Sequence, residues 1–295
     1  MNAAISLNNL TKMYGKDRGI EGITFDVAPG QVFGFLGPNG SGKSTAMRTL
    51  LGLISATSGS ASILGQNSLR HNPKIMANVG YLPGVFSPYK NLKAADYLHY
   101  ISRLRKIDCT KRIVELADQL DLNLNKHIHD LSKGNRQKVG VIQAFMHKPA
   151  VLILDEPTSG LDPVIQREFE AILQEAKNSQ SAVLLSSHVL SEVEHLADQI
   201  AVISNGKLLL NEKIKDLKAR ARHTINFTFG SPIDQNKYSS LAKVISYKNN
   251  VLTCEVNTSE KELLKQAVLD GAISVETHEP ALDKIFLDLI DYEEN

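Results

Sequence analysis

Cysteine is scarce in this chain: the two residues in 295, Cys109 and Cys254, lie far apart and in no pairing pattern. A disulfide framework is therefore excluded and a reducing, cytoplasmic compartment is expected. Long apolar runs are also lacking. The longest, such as AVLIL at 150–154, are of strand length and fall far short of the ~20 residues that cross a bilayer, so this stretch of chain is expected to span nothing by itself. The amino-terminal MNAAISLNNL has neither a basic leader nor an apolar core, and no secretory signal is expected. An excess of charge of one sign is absent too. With 33 Lys and Arg against 32 Asp and Glu, no overall basic field exists to draw the chain to nucleic acid or to an anionic membrane surface. Repeats and low-complexity tracts are missing. What is present is 42% apolar residues, ample for one large and one small core.

Short β-rich runs alternate with amphipathic stretches to about residue 210: QVFGFLG before GKSTAMRTLLGLI, AVLILDEP before DPVIQREFEAILQEA, and AVLLSSH before LSEVEHLAD. This alternation predicts an α/β layered domain with parallel strands at its centre. In the second helix Ile165, Phe169, Ile172, Leu173 and Ala176 recur at helical spacing, behind Asp162 at the N-cap and Pro163 at the first position. ISNGKLLL predicts a hairpin turning at Asn205-Gly206, and NEKIKDLKARAR reads as helix and connector. Beyond it the character changes. TINFTF, NVLTCEV, SEKELLKQAVL, AISVET and a final helix EPALDKIFLDLI predict a small α+β appendage over 221–295, behind a main domain over 1–220.

Residues 37–45, GPNGSGKST, match the phosphate loop G-x-x-x-x-G-K-[ST] through Gly37, Gly42, Lys43 and Ser44, between an apolar strand and a helix as that motif requires. Backbone amides of Gly37, Pro38, Asn39, Gly40, Ser41, Gly42 and Thr45, so far as each has one, are placed to converge on phosphate oxygens, aided by the positive end of the helix. Lys43 would reach the β- and γ-phosphates and Ser44 would hold Mg²⁺. The bland alternative is a Gly-rich turn with an exposed lysine. VLILDEP ends a buried strand in acids, which is costly unless they meet a cation or hydrogen bonds. Asp155 is therefore expected to hold Mg²⁺ through water, and Glu156 to polarise the attacking water as general base, a role worth about 10²–10⁴-fold in rate; an ordinary surface ion pair is the alternative for Glu156. Two histidines in HIH at 127–129, without a nearby third ligand, read as loop residues.

LSKGNRQKV at 131–139 offers a second anion-friendly helix start. Ser132 can cap the helix that carries Val139, Ile142, Phe145 and Met146, and Gly134 would let backbone amides approach an anion. The phosphate loop, LSKGN, LILDEP, SGLD and SSH, in this order, resemble the ATP-binding subunit of an ABC transporter over residues 5 to about 210. The resemblance implies a P-loop ATPase core with a helical signature subdomain at about 85–148, ATP with Mg²⁺ as the nucleotide, and a head-to-tail pair of subunits, expected to be a homodimer. In that pair each ATP lies between one copy's phosphate loop and the other's Ser132 and Gly134. It also implies that Asp162 communicates between the two sites, that His188 contacts the γ-phosphate and orients the water, and that Tyr14 stacks on adenine. Each has a plainer reading: helix cap, strand-end histidine, core tyrosine. A separate integral membrane permease is implied, with the chain peripheral on the cytoplasmic face and no nucleic-acid partner. Phe86, Pro88, Tyr89, Leu92 and Tyr97 would receive the permease, or else form the subdomain's own core.

Where the family usually places a metal-contacting glutamine, VGYLPG puts Gly84, and Lys133 and Asn135 depart from the commoner Gly and Gln. Exporter ATPases related to antibiotic-resistance transporters are similar at these places and in carrying a C-terminal appendage. An ABC ATPase of DNA repair is disfavoured, because only 88 positions separate Lys43 from Leu131 and no sustained heptads lie between. Translation members carry two cassettes where one is found here. A soluble ABC ATPase in cofactor assembly stays open.

Overall fold

The computed structural model describes residues 3–15, 17–70, 72–220, 223–256 and 260–278. They form two compact units, divided between Glu212 and Lys213. The first unit opens with an antiparallel sheet of β1 (Ile5–Tyr14), β2 (Asp17–Val27), β4 (Ser58–Ile63) and β5 (Gln66–Asn67), in the order β2-β1-β4-β5. A second sheet contains β3 (Val32–Leu36), β6 (Val79–Leu82), β7 (Val151–Asp155), β8 (Ala182–Ser187), β9 (Gln199–Ser204) and β10 (Lys207–Lys213), in the order β10-β9-β3-β8-β7-β6. From β6 to β9 the strands run parallel. Strands β3, β7 and β8 are buried at every position, as expected where helices cover both faces of a parallel sheet.

Helix α1 (Lys43–Leu50) buries Ala46, Met47 and Leu50 in the core that joins the two sheets, with Ile5, Leu7 and Leu10 from β1 and Phe33 and Phe35 from β3. The ring of Phe25 stacks on Phe33 at 4.6 Å, fastening β2 to the parallel sheet. Each of the larger of these buried side chains is worth roughly 1.5–3 kcal/mol, and together they hold α1 and the loop before it in place.

Between β5 and β7 come α2 (Pro73–Ala77), α3 (Ala94–Leu104), α4 (Thr110–Gln119) and α5 (Lys133–Phe145). After β7, α6 (Pro163–Asn178) starts at Asp162, which accepts from the Val164 and Ile165 amides at 3.1 Å, and it buries Ile165, Phe169, Ile172 and Leu173 on one face. Helix α7 (Leu190–Glu194) follows β8. Asn205 and Gly206, both at positive φ, make the two-residue turn between β9 and β10. Strand β10 runs on to Lys213, into the stretch that reads from sequence as helix and connector; α8 (Ile214–Arg220) supplies the helix.

The second unit is α+β. It holds β11 (His223–Phe229), β12 (Lys243–Lys248), β13 (Val251–Val256) and β14 (Ala272–His278), in the order β12-β13-β11-β14, with α9 (Glu260–Leu269). Its own core contains Ile225, Phe227, Phe229, Tyr238, Leu252, Cys254, Leu263 and Ala267. The expected final helix EPALDKIFLDLI lies outside the described residues.

Candidate active site

The carboxyl ends of three adjacent parallel strands, β3, β8 and β7, deliver residues 37–45, 187–188 and 155–156 to one edge of the sheet, the usual place for a ligand in an open α/β fold. Gly42, the residue before α1, has φ +110°, and a β-carbon there would stand 2.7 Å from the Gly19 carbonyl oxygen. Only glycine fits that turn. Lys43 is buried and folds back over the loop, its Nζ donating to the carbonyls of Gly37 at 2.6 Å and Pro38 at 3.0 Å. Burial pulls its pKa below the ordinary lysine value, opposed by the nearby carboxylates of Glu156 and Asp155. Ser41 Oγ is buried with no hydrogen-bond partner among the described residues, while Asn39 and Gly40 stand exposed at the loop tip.

Asp155 is 1% exposed. Its carboxylate accepts from Ser44 Oγ through Oδ2 and from Ser186 Oγ through Oδ1, both at 2.6 Å, which satisfies an otherwise costly buried charge. Glu156 sits at φ +49°. Its amide donates to Ser186 Oγ at 3.0 Å, and its Oε1 lies 4.0 Å from Lys43 Nζ and 3.3 Å from His188 Nδ1. A carboxylate only accepts, so the imidazole donates at that nitrogen. Lys43, Glu156 and His188 thus form one row beside the phosphate loop.

Tyr14 is half exposed, with Lys12 Nζ 5.1 Å from its ring centroid. A β-carbon at Gly19 would stand 2.9 Å from the Tyr14 ring and 3.2 Å from Thr45, so the bare glycine lets that ring lie near the start of α1. Gly84 neighbours the Asp155 carboxylate: a β-carbon there would stand 3.0 Å from Asp155 Oδ2.

The helix start at 131–135 is built elsewhere on the chain. Ser132 is exposed and accepts from the Asn135 amide at 3.1 Å. Gly134 has an intrachain reason to be glycine that the sequence does not display, since a β-carbon there would stand 2.5 Å from the Gly160 carbonyl oxygen. Lys133 Nζ reaches Ser159 Oγ at 3.4 Å. The described contacts of this helix start therefore run to the loop after Glu156 and not to residues 37–45.

Several residues that hold this site together were not singled out from sequence. Ser186 bridges Asp155 and the Glu156 amide. Glu192 accepts from Thr158 Oγ1 at 2.8 Å and Ser187 Oγ at 3.0 Å, tying the loop after β7 to the end of β8. Gln137 donates to the carbonyls of Glu156 and Pro157. Of the aromatic set expected to meet a permease, Tyr97 and Pro88 are buried. The Tyr97 hydroxyl bonds Gln143, and burial pushes its pKa up to about 12. Tyr89 is exposed and packs edge-on against Tyr97 and Tyr100.

A glycine-cradled helix start, a buried aspartate on its serine and a glutamate–histidine pair define the class: a P-loop ATPase. Comparison with known proteins narrows it. The ABC transporter domain family matches residues 20–159. The chain is 33% identical to the Bacillus subtilis ABC transporter ATP-binding protein YhaQ, over 97% of this chain and 98% of that one. It is 37% identical to the bacitracin transport ATP-binding protein BcrA of Bacillus licheniformis, over 80% and 78%. A bacterial ABC transporter cassette solved as a dimer superposes with a TM-score of 0.64 at 21% identity, over 71% of this chain and 98% of the other. The chain belongs to the ABC transporter ATP-binding proteins, and it is the ATP-hydrolysing subunit of such a transporter.

Proposed function

We propose that two copies of this chain close head to tail around two ATP molecules, and that the cycle of closing and opening drives export through a separate membrane permease. The observation that carries the reading is that one chain presents two anion grips, while the described contacts of Ser132 and Gly134 lead away from its own phosphate loop. One triphosphate can satisfy both kinds of grip only if a second chain supplies the other half. The dimeric cassette of the same fold agrees with such pairing. Asp162, besides capping α6, is exposed at that edge and would relay between the two sites.

In each shared site the amides of 37–45 and Lys43 hold the phosphates, with the partner's helix start on the γ-phosphate and Tyr14 against the adenine. The hard oxygen donors Ser44 and Asp155, 2.6 Å apart, suit Mg²⁺, which Ser44 would hold directly and Asp155 through water. When bound, that ion neutralises phosphate charge. Glu156 takes the proton of the attacking water, and His188 orients that water and contacts the γ-phosphate. Repulsion between the products then helps the pair reopen.

Among the described residues no helix is long and apolar enough to cross a membrane, so transport needs a spanning partner. Exposed Val85, Tyr89, Tyr100 and Leu104 offer it a surface around α3. The chain would then sit on the cytoplasmic face, held there by the permease. Bacitracin transport is the role named for BcrA; together with the appendage it favours export here.

The test is Glu156→Gln. The variant is expected to bind ATP, to lose at least about 10²-fold in turnover, and to run as a dimer on size-exclusion chromatography with ATP. Full turnover, or a monomer that hydrolyses ATP at wild-type rate, refutes the reading. Co-purification with a polytopic membrane protein separates it from an ABC ATPase of cofactor assembly.

A further inference from the structure

We infer that Gln137 is a positioning residue for the base of its own chain, holding the Glu156 peptide from within the helix whose start serves the partner's nucleotide. The inference rests on the reading of Glu156 as base. Glu156 has φ +49°, a conformation that residues with a side chain rarely adopt, and such a peptide persists only where its surroundings hold it. Two bonds do so. The Glu156 amide donates to Ser186 Oγ at 3.0 Å, and its carbonyl accepts from Gln137 Nε2 at 3.2 Å. The same Nε2 reaches the Pro157 carbonyl at 3.1 Å, so one carboxamide offers a proton to each of two successive carbonyls. Gln137 is only 6% exposed, so bulk solvent is poorly placed to replace it.

Its place on α5 gives this clamp a meaning beyond packing. Gln137 lies one turn inside the helix that Ser132 caps, and the first turn is itself seated on the same loop through Gly134 against the Gly160 carbonyl and Lys133 against Ser159. A shift of α5 therefore moves the Glu156 peptide. In a head-to-tail pair α5 contacts the nucleotide of one site while Glu156 acts in the other, so Gln137 connects occupancy of one site to alignment of the base in its neighbour.

Two variants remove the donors in different ways: Gln137→Leu keeps the bulk, and Gln137→Glu keeps the shape but sets an oxygen against each carbonyl. In both, kcat for ATP is expected to fall about tenfold while KM stays within about twofold, the signature of an interaction needed for the chemical step. Binding of a fluorescent ADP analogue should be unchanged, which also reports that the protein is folded. Mixed pairs carrying different affinity tags then assign the direction. Pairing a Gln137→Leu chain with a Glu156→Gln chain leaves the only glutamate at 156 above a leucine. Pairing a wild-type chain with one bearing both substitutions leaves that glutamate above its own Gln137. The first pair is expected to be about tenfold slower than the second. Equal rates in the two pairs, or wild-type kcat in the folded Leu variant, overturn the inference. Failure of the reading beneath it shows separately, as full turnover in the Glu156→Gln homodimer.

Discussion

A methyl group added at Gly134 would press on the Gly160 carbonyl oxygen, and neither partner is the flexible end of a side chain. Gly134→Ala is expected to cost about 1–3 kcal/mol by overpacking and to lower turnover with it. Ser132→Ala should cost about 1 kcal/mol through the lost cap, read as the shift in urea midpoint. At Gly84 the neighbour is Asp155. Water is expected to fill the coordination position that a glutamine would take, making the wild type steeply dependent on Mg²⁺. Gly84→Gln should lower the Mg²⁺ needed for half-maximal ATPase, and superimposable titration curves would count against this. The phosphate-loop, Asp155 and Glu156 motifs were legible because each is a contiguous string. Gln137, Ser186 and Glu192 were not, because the bonds that tie them to Glu156 and Thr158 span 19 to 34 positions and only folding brings those groups together.

Elements show the same division. The strand–loop–helix around Lys43, the Asp-Pro start of α6 and the Asn-Gly turn were readable because each carries local chemistry. The antiparallel sheet was not. Register shifts interrupt β1 between Leu7 and Leu10 and again between Leu10 and Lys12, and β4 is written SGSASI, so neither shows a clean alternation. Just beyond α5, His147 Nε2 meets the Val79 carbonyl at 3.2 Å, where Arg105 also donates. Burial, and then the Arg105 charge, lower its pKa to about 4. Because the folded value lies below the unfolded one, the unfolded chain binds more protons between roughly pH 6.5 and 4. Stability is therefore full above that window and falls as pH drops through it. The gap between urea midpoints at pH 7 and pH 5 should narrow in His147→Gln, which keeps a donor for Val79 and does not titrate.

For the molecule as a whole, the division between Glu212 and Lys213 leaves each unit with its own core. A fragment ending at Glu212 is expected to unfold in one cooperative step and to retain nucleotide binding, as measured by circular dichroism and fluorescent-nucleotide titration; a non-cooperative melt would contradict it. In the sequence the α/β alternation is lost near residue 221, eight positions after the division between Glu212 and Lys213. The point of division was not legible, because β10 runs on into charged sequence that reads as helix.

The turn at Asn205-Gly206 is the sort of tight, polar surface bend into which a tag or reporter is ordinarily inserted. Here Gly206 is buried, its amide donates to the Ser41 carbonyl at 2.9 Å, and its own carbonyl accepts from Glu21 at 2.7 Å. The bend props the phosphate loop from behind, so a graft at this spot would be felt where the nucleotide sits, and a labelling strategy should look elsewhere.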